Sequence, residues 1–435
     1  MKATLERLFR VTLADIDLGQ VLPQRVQVED GCLRIDKERL ELDDCDRIVI
    51  AALGKAAYTM SASLVRLLEP RPVQGIAVGP PEIDCQIKGI DLIRGQHPYP
   101  DAGSLQGAGA LLELMQQLGE RDLVIFLLSG GGSSLAECPC DLSVSLADLG
   151  ELHRLLVTGG ANIVEMNVVR KHFSGIKGGR LAVAAAPARQ LTLYVSDVPA
   201  GQPSAVASGP TMPDDSNIDD VMEILQRLDL VNALPPSIRQ LLEAGRLRET
   251  PKADDVAFAR STWHCLLDND IAVDTFHQHA LNEGWVVETD CTVDDWPLPD
   301  AVNTLLRHLE TLATANPGCT VCLVSGGELS CPVTGNGAGG RNQAFVLRAA
   351  QQIANTDITV LSAGTDGIDG NSPAAGAVAN GDTIGRANSA GLAAGDYETR
   401  SDSYNFFNRL GDIIVTGPTG NNVRDLRMLV NKQES

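Results

Sequence analysis

The chain has 435 residues, with 35 Lys and Arg against 56 Asp and Glu, a formal net charge of −21, and only 4% aromatic residues. So large an acid excess argues against broad nucleic-acid binding, which needs clustered cations, and against a polybasic membrane anchor. Few aromatics argue against a stacking platform for single strands or sugars, while the length and a 44% apolar fraction suit two or three folded domains.

No run nears the roughly 20 apolar residues of a membrane span. Residues 1–17 mix charges with Leu, Phe, Val and Ile at helical spacing and carry no signal-peptide core, so a cytoplasmic location is expected. Strand-length apolar runs follow at 47–53, 75–79, 123–128 and 191–195, with helical patterns between them at 56–68, 104–118, 146–157 and 163–174. This alternation predicts α/β layers with parallel strands. Residues 199–215, rich in Pro, Gly, Ser and Asp, read as a long ordered loop. The polar stretch at 243–255 marks a boundary between domains 1–245 and 246–435. Beyond it, strands at 263–267 and 285–289 flank a helix near 273–283, and further strands are expected at 319–324, 358–363 and 413–416.

Ten scattered cysteines fit a reducing compartment. Cys138-Pro-Cys140 and Cys319-x-x-Cys322 are the close pairs, and the second falls in an apolar run better read as a buried strand than as metal ligands. No structural zinc is expected.

Four of the predicted strands end in small, hydroxylated or acidic residues: Ser129-Gly130-Gly131, Ser196-Asp197, Ser325-Gly326-Gly327 and Gly364-Thr365-Asp366. Ligands of open α/β sheets bind beyond the carboxyl ends of strands. The fold expected is therefore α/β, two Rossmann-like domains with the active site in the interdomain cleft. Within Ser129, Gly130, Gly131, Gly132, Ser133 and Ser134, successive glycines allow several N–H groups to turn toward one anion, with hydroxyl donors beside them. Residues 335–343, with Gly339, Gly340, Arg341 and Asn342 among them, form a second candidate cradle at a helix start, where Arg341 offers a fork suited to phosphate. Lys55 stands at a helix N-terminus, where a cation opposes the helix dipole unless a phosphate is bound there. Arg170, Lys171 and Lys177 belong to the densest basic stretch, broken by glycines that suit a charged loop. Asp197 and Asp366 could each hold Mg²⁺, take a hydroxyl proton, or form a turn. No Walker-A lysine, G-x-G-x-x-G fingerprint or G-x-S-x-G elbow is present.

Taken in order, Ala52-Leu-Gly-Lys-Ala-Ala57, His97-Pro-Tyr-Pro-Asp101, Leu128-Ser-Gly-Gly-Gly-Ser-Ser134, Met166-Asn-Val-Val-Arg-Lys-His172 and Ile176-Lys-Gly-Gly-Arg180 resemble the glycerate 2-kinase family. So do Ser325-Gly-Gly-Glu328, Gly339-Gly-Arg-Asn-Gln343, Ala363-Gly-Thr-Asp-Gly-Ile-Asp-Gly370 and Gly411–Asn422, in the part called the MOFRL domain, about 318–425 here. Ser401 and the pair Ser372-Pro373 depart from that family's pattern. The resemblance implies ATP-dependent phosphorylation of D-glycerate to 2-phosphoglycerate with Mg²⁺, Lys55 and Arg341 being the phosphoryl-stabilising pair. ATP and Mg²⁺ are then the cofactors, Asp197 is a base or, with Asp366, a metal carboxylate, and a homodimer is compatible with the sequence. Two other readings stay open: an NAD(P)H-dependent hydroxypyruvate reductase, a label often attached to such chains, and a non-catalytic small-metabolite-binding protein.

Overall fold

The apolar runs become the centres of two six-stranded sheets. The computed structural model describes residues 1–81, 85–199 and 201–432. Ala200, inside the predicted loop at 199–215, and 433–435 of the predicted second domain lie outside the described residues. Near the start, β1 (Val26–Glu29), β2 (Cys32–Ile35) and β3 (Glu38–Glu41) form an antiparallel meander that no long apolar run announces.

The first large sheet contains β4 (Arg47–Leu53), β5 (Gln74–Gly79), β6 (Ile90–Arg94), β7 (Asp122–Leu128), β8 (Arg189–Val195) and β9 (Ser261–Leu267). Their order is β6-β5-β4-β7-β8-β9, and the pairings from β6 to β8 are parallel. β4 and β7 are buried almost throughout, which is why they read as continuous apolar runs rather than alternating ones. From β4 the chain moves outward to β5 and later returns to β4's other side as β7. The order therefore reverses between β4 and β7, the place where such sheets open a crevice at their carboxyl ends. Val49, Ala51, Val124 and Phe126 pack there with Ala108, Leu111, Leu181 and Ala185 of covering helices. A separate helical cluster gathers Leu152, Leu156, Val169, Phe173, Val221 and Leu241.

The second sheet comprises β10 (Val286–Thr289), β11 (Thr320–Gly326), β12 (Ile358–Gly364), β13 (Gly376–Asn380), β14 (Ile413–Ile414) and β15 (Asp425–Lys432). Its order is β10-β11-β15-β12-β13-β14, with β15 antiparallel to both neighbours. Only β10 and β11 pair in parallel, so this layer is mixed where the strand–helix alternation pointed to parallel strands. Its core joins Leu305 and Leu309 of helix Leu298–Ala315 to Phe345, Val360, Ala377 and Leu429.

Contacts divide the chain into Leu18–Leu266 and a second unit of Met1–Asp17 with Leu267–Ser435. The division falls 21 residues later than the predicted 245/246, because residues up to 266 complete β9 at the edge of the first sheet. Helix Lys2–Asp15 belongs to the C-terminal unit, where Phe9 meets Phe276 edge-on at 6.3 Å between ring centroids. Among the described residues no helix is long and apolar enough to cross a membrane.

Candidate active site

In the first unit the turns after β4 and β7 are laced together at the order reversal. Lys55 N donates to Gly130 O at 2.8 Å, Ser129 N to Leu53 O at 3.1 Å, and Ala56 N to Ser129 Oγ at 3.0 Å. Gly130 and Gly131 are thin by necessity: a Cβ on Gly130 would lie 2.1 Å from Asp197 Oδ2, and one on Gly131, at φ +79°, would lie 3.1 Å from Lys55 Cγ and 3.2 Å from His97 Cδ2. The loop thus has a carboxylate on one side and the lysine stem with an imidazole on the other. Among the described residues the Lys55 ammonium has no ion pair or hydrogen bond. Desolvation and that ammonium together hold His97 below its usual value, so it stays neutral near pH 7. Farther along the loop, Ser133 Oγ meets Ser208 Oγ at 2.8 Å, while Ser134 Oγ donates to Pro98 O at 2.7 Å.

The basic stretch is not the exposed loop that its glycines suggested. Lys171 Nζ pairs with Asp214 at 3.0 Å, both buried, and Lys177, 1% exposed, is buried against Glu137. Arg180 donates to the carbonyls of Lys171 and Arg248. Lys171 and Lys177 are therefore corrected from anion ligands to internal counter-charges, since a buried cation already matched by a carboxylate has no charge left for a ligand. Arg170 alone in this run has a guanidinium without an ion pair or hydrogen bond among the described residues, its Nε buried.

In the second unit Arg341 opens helix Arg341–Gln352, with Nε 2.5 Å from Asp425 Oδ2 and Nη2 2.8 Å from Glu328 Oε1. Burial alone would disfavour its charge, but these carboxylates raise its pKa above the ordinary arginine value. Nη1 has no acceptor among the described residues. Asn342 differs from expectation. It is 1% exposed, its N donates to Asp369 Oδ1 at 3.1 Å, and its Oδ1 accepts from Ser362 Oγ at 2.6 Å, so it locks the helix start and cannot face a substrate. Gly339 and Gly340 serve packing too: added Cβ atoms would sit 2.3 Å from Ser403 Oγ and from Asp369 Oδ1 respectively, which accounts for glycine without an anion. Asp369 accepts Asn342 N and Gln343 N, yet burial pushes it up to about 7. Asp366 Oδ1 accepts Ile368 N at 3.0 Å, a bond that shapes the turn after β12.

The sequence reading missed most of what surrounds Arg341. Arg427, fully buried, donates to Gly326 O at 3.1 Å and Gly327 O at 2.9 Å and lies 3.5 Å from Asp425, fixing the turn that carries Glu328. Arg424 pairs with Asp294, whose Oδ1 also accepts Glu328 N at 2.9 Å. The available signal was Asp425-Leu-Arg427-Met, charge at every second residue of a strand, which puts both charges on one face.

Residues 4–243 match the family described as a domain of unknown function, DUF4147, and residues 321–425 match the MOFRL family. The D-glycerate 2-kinase of Thermotoga maritima is 34% identical over 397 residues, 90% of this chain and 93% of that protein. A protein of Agrobacterium vitis carrying a hydroxypyruvate reductase name is 36% identical over 88% of this chain and 99% of its own. The crystal structure of glycerate kinase from Thermotoga maritima is similar with a TM-score of 0.85 and 30% identity, covering 99% of each chain.

Proposed function

The chain belongs to the glycerate 2-kinase family, and we propose on that premise that it phosphorylates D-glycerate with ATP, giving 2-phosphoglycerate by direct in-line transfer. The observation that carries the chemistry is Lys55. Its ammonium has no partner among the described residues, its stem lies against Gly131, and its backbone N holds Gly130, whose missing Cβ leaves space for the Asp197 carboxylate, at the order reversal of a parallel sheet. Phosphoryl transfer through a loose transition state needs positioning and charge neutralisation more than covalent chemistry. Lys55 supplies a point charge, and the Ser129–Ser134 turn supplies backbone donors. Arg341, held charged by Glu328 and Asp425, keeps Nη1 for a phosphoryl oxygen in its own unit.

Mg²⁺ in such reactions takes one or two carboxylates and completes its shell with water and phosphate oxygens. Asp197 fits that pattern, being half-buried against the one loop position where a Cβ would strike its carboxylate. The ion would supply neutralisation of the phosphate charge. Asp197 equally stands where a carboxylate can orient the attacking hydroxyl, and Asp197→Asn separates the two roles. A metal role raises the Mg²⁺ concentration needed for half-maximal rate, whereas a base role removes the acid limb of the pH–rate profile. An ATP-using enzyme of the cytoplasm is the setting this reading implies.

A hydroxypyruvate reductase would need a pyrophosphate-binding turn after its first parallel strand, but β4 runs into Leu53-Gly-Lys55-Ala-Ala57. Incubation with D-glycerate and Mg-ATP, followed by ³¹P NMR, should show 2-phosphoglycerate. NADH oxidation with hydroxypyruvate and no phosphorylated product would overturn the reading.

A further inference from the structure

Four Lys and Arg side chains lie between residues 170 and 180, and three are matched inside the chain as described above. Arg170 is the exception, with a buried Nε that no acceptor among the described residues meets. Donors left unfilled on a desolvated charge are unfavourable, and burial lowers the pKa of this guanidinium below the ordinary arginine value. His153 beside it brings no counter-charge: desolvated, and close to Arg170 and Lys177, its imidazole is pushed down to about 2 and remains neutral.

The surroundings indicate what would fill those donors. Asn167 precedes Arg170 by three residues on helix Ile163–Phe173, a spacing that shares one face. Its Oδ1 accepts Ser208 Oγ at 3.2 Å, and Ser208 meets Ser133 of the turn after β7. This flank of the turn therefore offers one fork-shaped cation beside neutral hydroxyl and amide groups, the nearby Glu137 carboxylate being already taken by Lys177. A polyphosphate calls for several cations. A small hydroxy acid calls for one, with polar neighbours for its hydroxyls.

We propose that Arg170 is the carboxylate anchor of a small hydroxy-acid substrate, with Ser133 and Asn167 facing that substrate's hydroxyls and the buried Ser208 holding the two in place. The assignment rests on the kinase reading for its reaction, with Lys55 serving the phosphoryl end of the same turn.

Steady-state kinetics of the full chain, varying D-glycerate and ATP separately, test it. Arg170→Ala should raise KM for D-glycerate about 30-fold or more, leave KM for ATP unchanged, and be partly rescued by millimolar guanidinium ion. Arg170→Lys, which keeps the charge but loses the fork, should fall between, and decides the matter if the alanine variant does not fold. An unchanged KM for D-glycerate, or equal rises for both substrates, overturns the anchor. Thermal melting with D-glycerate alone separates the two readings. A Tm rise that depends on Arg170 in a protein that transfers no phosphate keeps the anchor and removes the kinase. A Tm rise that persists in both variants overturns the anchor, and no rise in wild type overturns it as well.

Discussion

At the scale of single residues, the contrast between Lys55 and Lys177 separates function from folding. Lys55 forms no ion pair among the described residues, so Lys55→Ala should lower kcat by roughly 10²–10³ while the denaturation midpoint stays at the wild-type value. Lys177→Ala does the reverse. It strands Glu137, 1% exposed, as a buried unpaired carboxylate, and should cost about 3–5 kcal/mol of stability. Urea unfolding followed by circular dichroism measures both, and a Lys177→Ala midpoint equal to wild type would return Lys177 to the candidate ligands. Lys55 was legible in the sequence because it breaks a local rule, a cation at a helix N-terminus. Lys171 and Lys177 were not, because their partners lie 43 and 40 residues away in Asp214 and Glu137. A run of charges shows in sequence; the counter-charge that tertiary folding brings to it does not.

Elements were legible where burial makes a continuous pattern. β4, β7, β11 and β12 are buried nearly end to end and appear as unbroken apolar runs. β1 to β3 span only four residues each, and β15 interrupts its apolar residues with Asp425, Arg427 and Asn431, so neither pattern stands out from a loop. Missing β15 hid both the mixed sheet and the residues that hold Arg341. The glycines give an element-scale test of the first turn. Gly130→Ala places a methyl on the Asp197 carboxylate and should abolish turnover, whereas Gly109→Ala, in helix Ala102–Met115 with open space around it, should leave turnover intact and stabilise by about 1 kcal/mol. Equal activity in both variants would show that the turn tolerates a displaced Asp197. His308 joins helix Leu298–Ala315 to the end of β10, with Nε2 2.8 Å from Glu288 and Nδ1 2.8 Å from Asp290. The Asp290 bond first, then Glu288, raises its pKa above 6.5 against partial desolvation. A raised folded-state pKa contributes stability that is fully present below the unfolded value and lost as pH climbs through the folded one. His308→Gln should therefore lower Tm at pH 6 and do so less at pH 9; an equal loss at both would mean the ring acts by packing alone.

At the scale of the whole molecule, a net charge of −21 opposes both proposed substrates, each an anion. Long-range repulsion acts over the Debye length, about 30 Å at 0.01 M and about 8 Å at 0.15 M salt. Contacts from Lys55, Arg170 or Arg341 would act over a few ångströms inside partly desolvated surroundings and are screened far less. Added salt should then remove most of the repulsion felt by an approaching anion while leaving the bound-state contacts nearly intact. The expected result is the opposite of that for a basic anion-binding protein: kcat/KM for D-glycerate rises between 10 and 150 mM potassium chloride at fixed free Mg²⁺. The value of kcat, which reports on the bound complex, should stay flat over the same range. A falling kcat/KM would mean that the local cations govern the approach as well as the contact, and that the acid excess lies where the substrate does not pass.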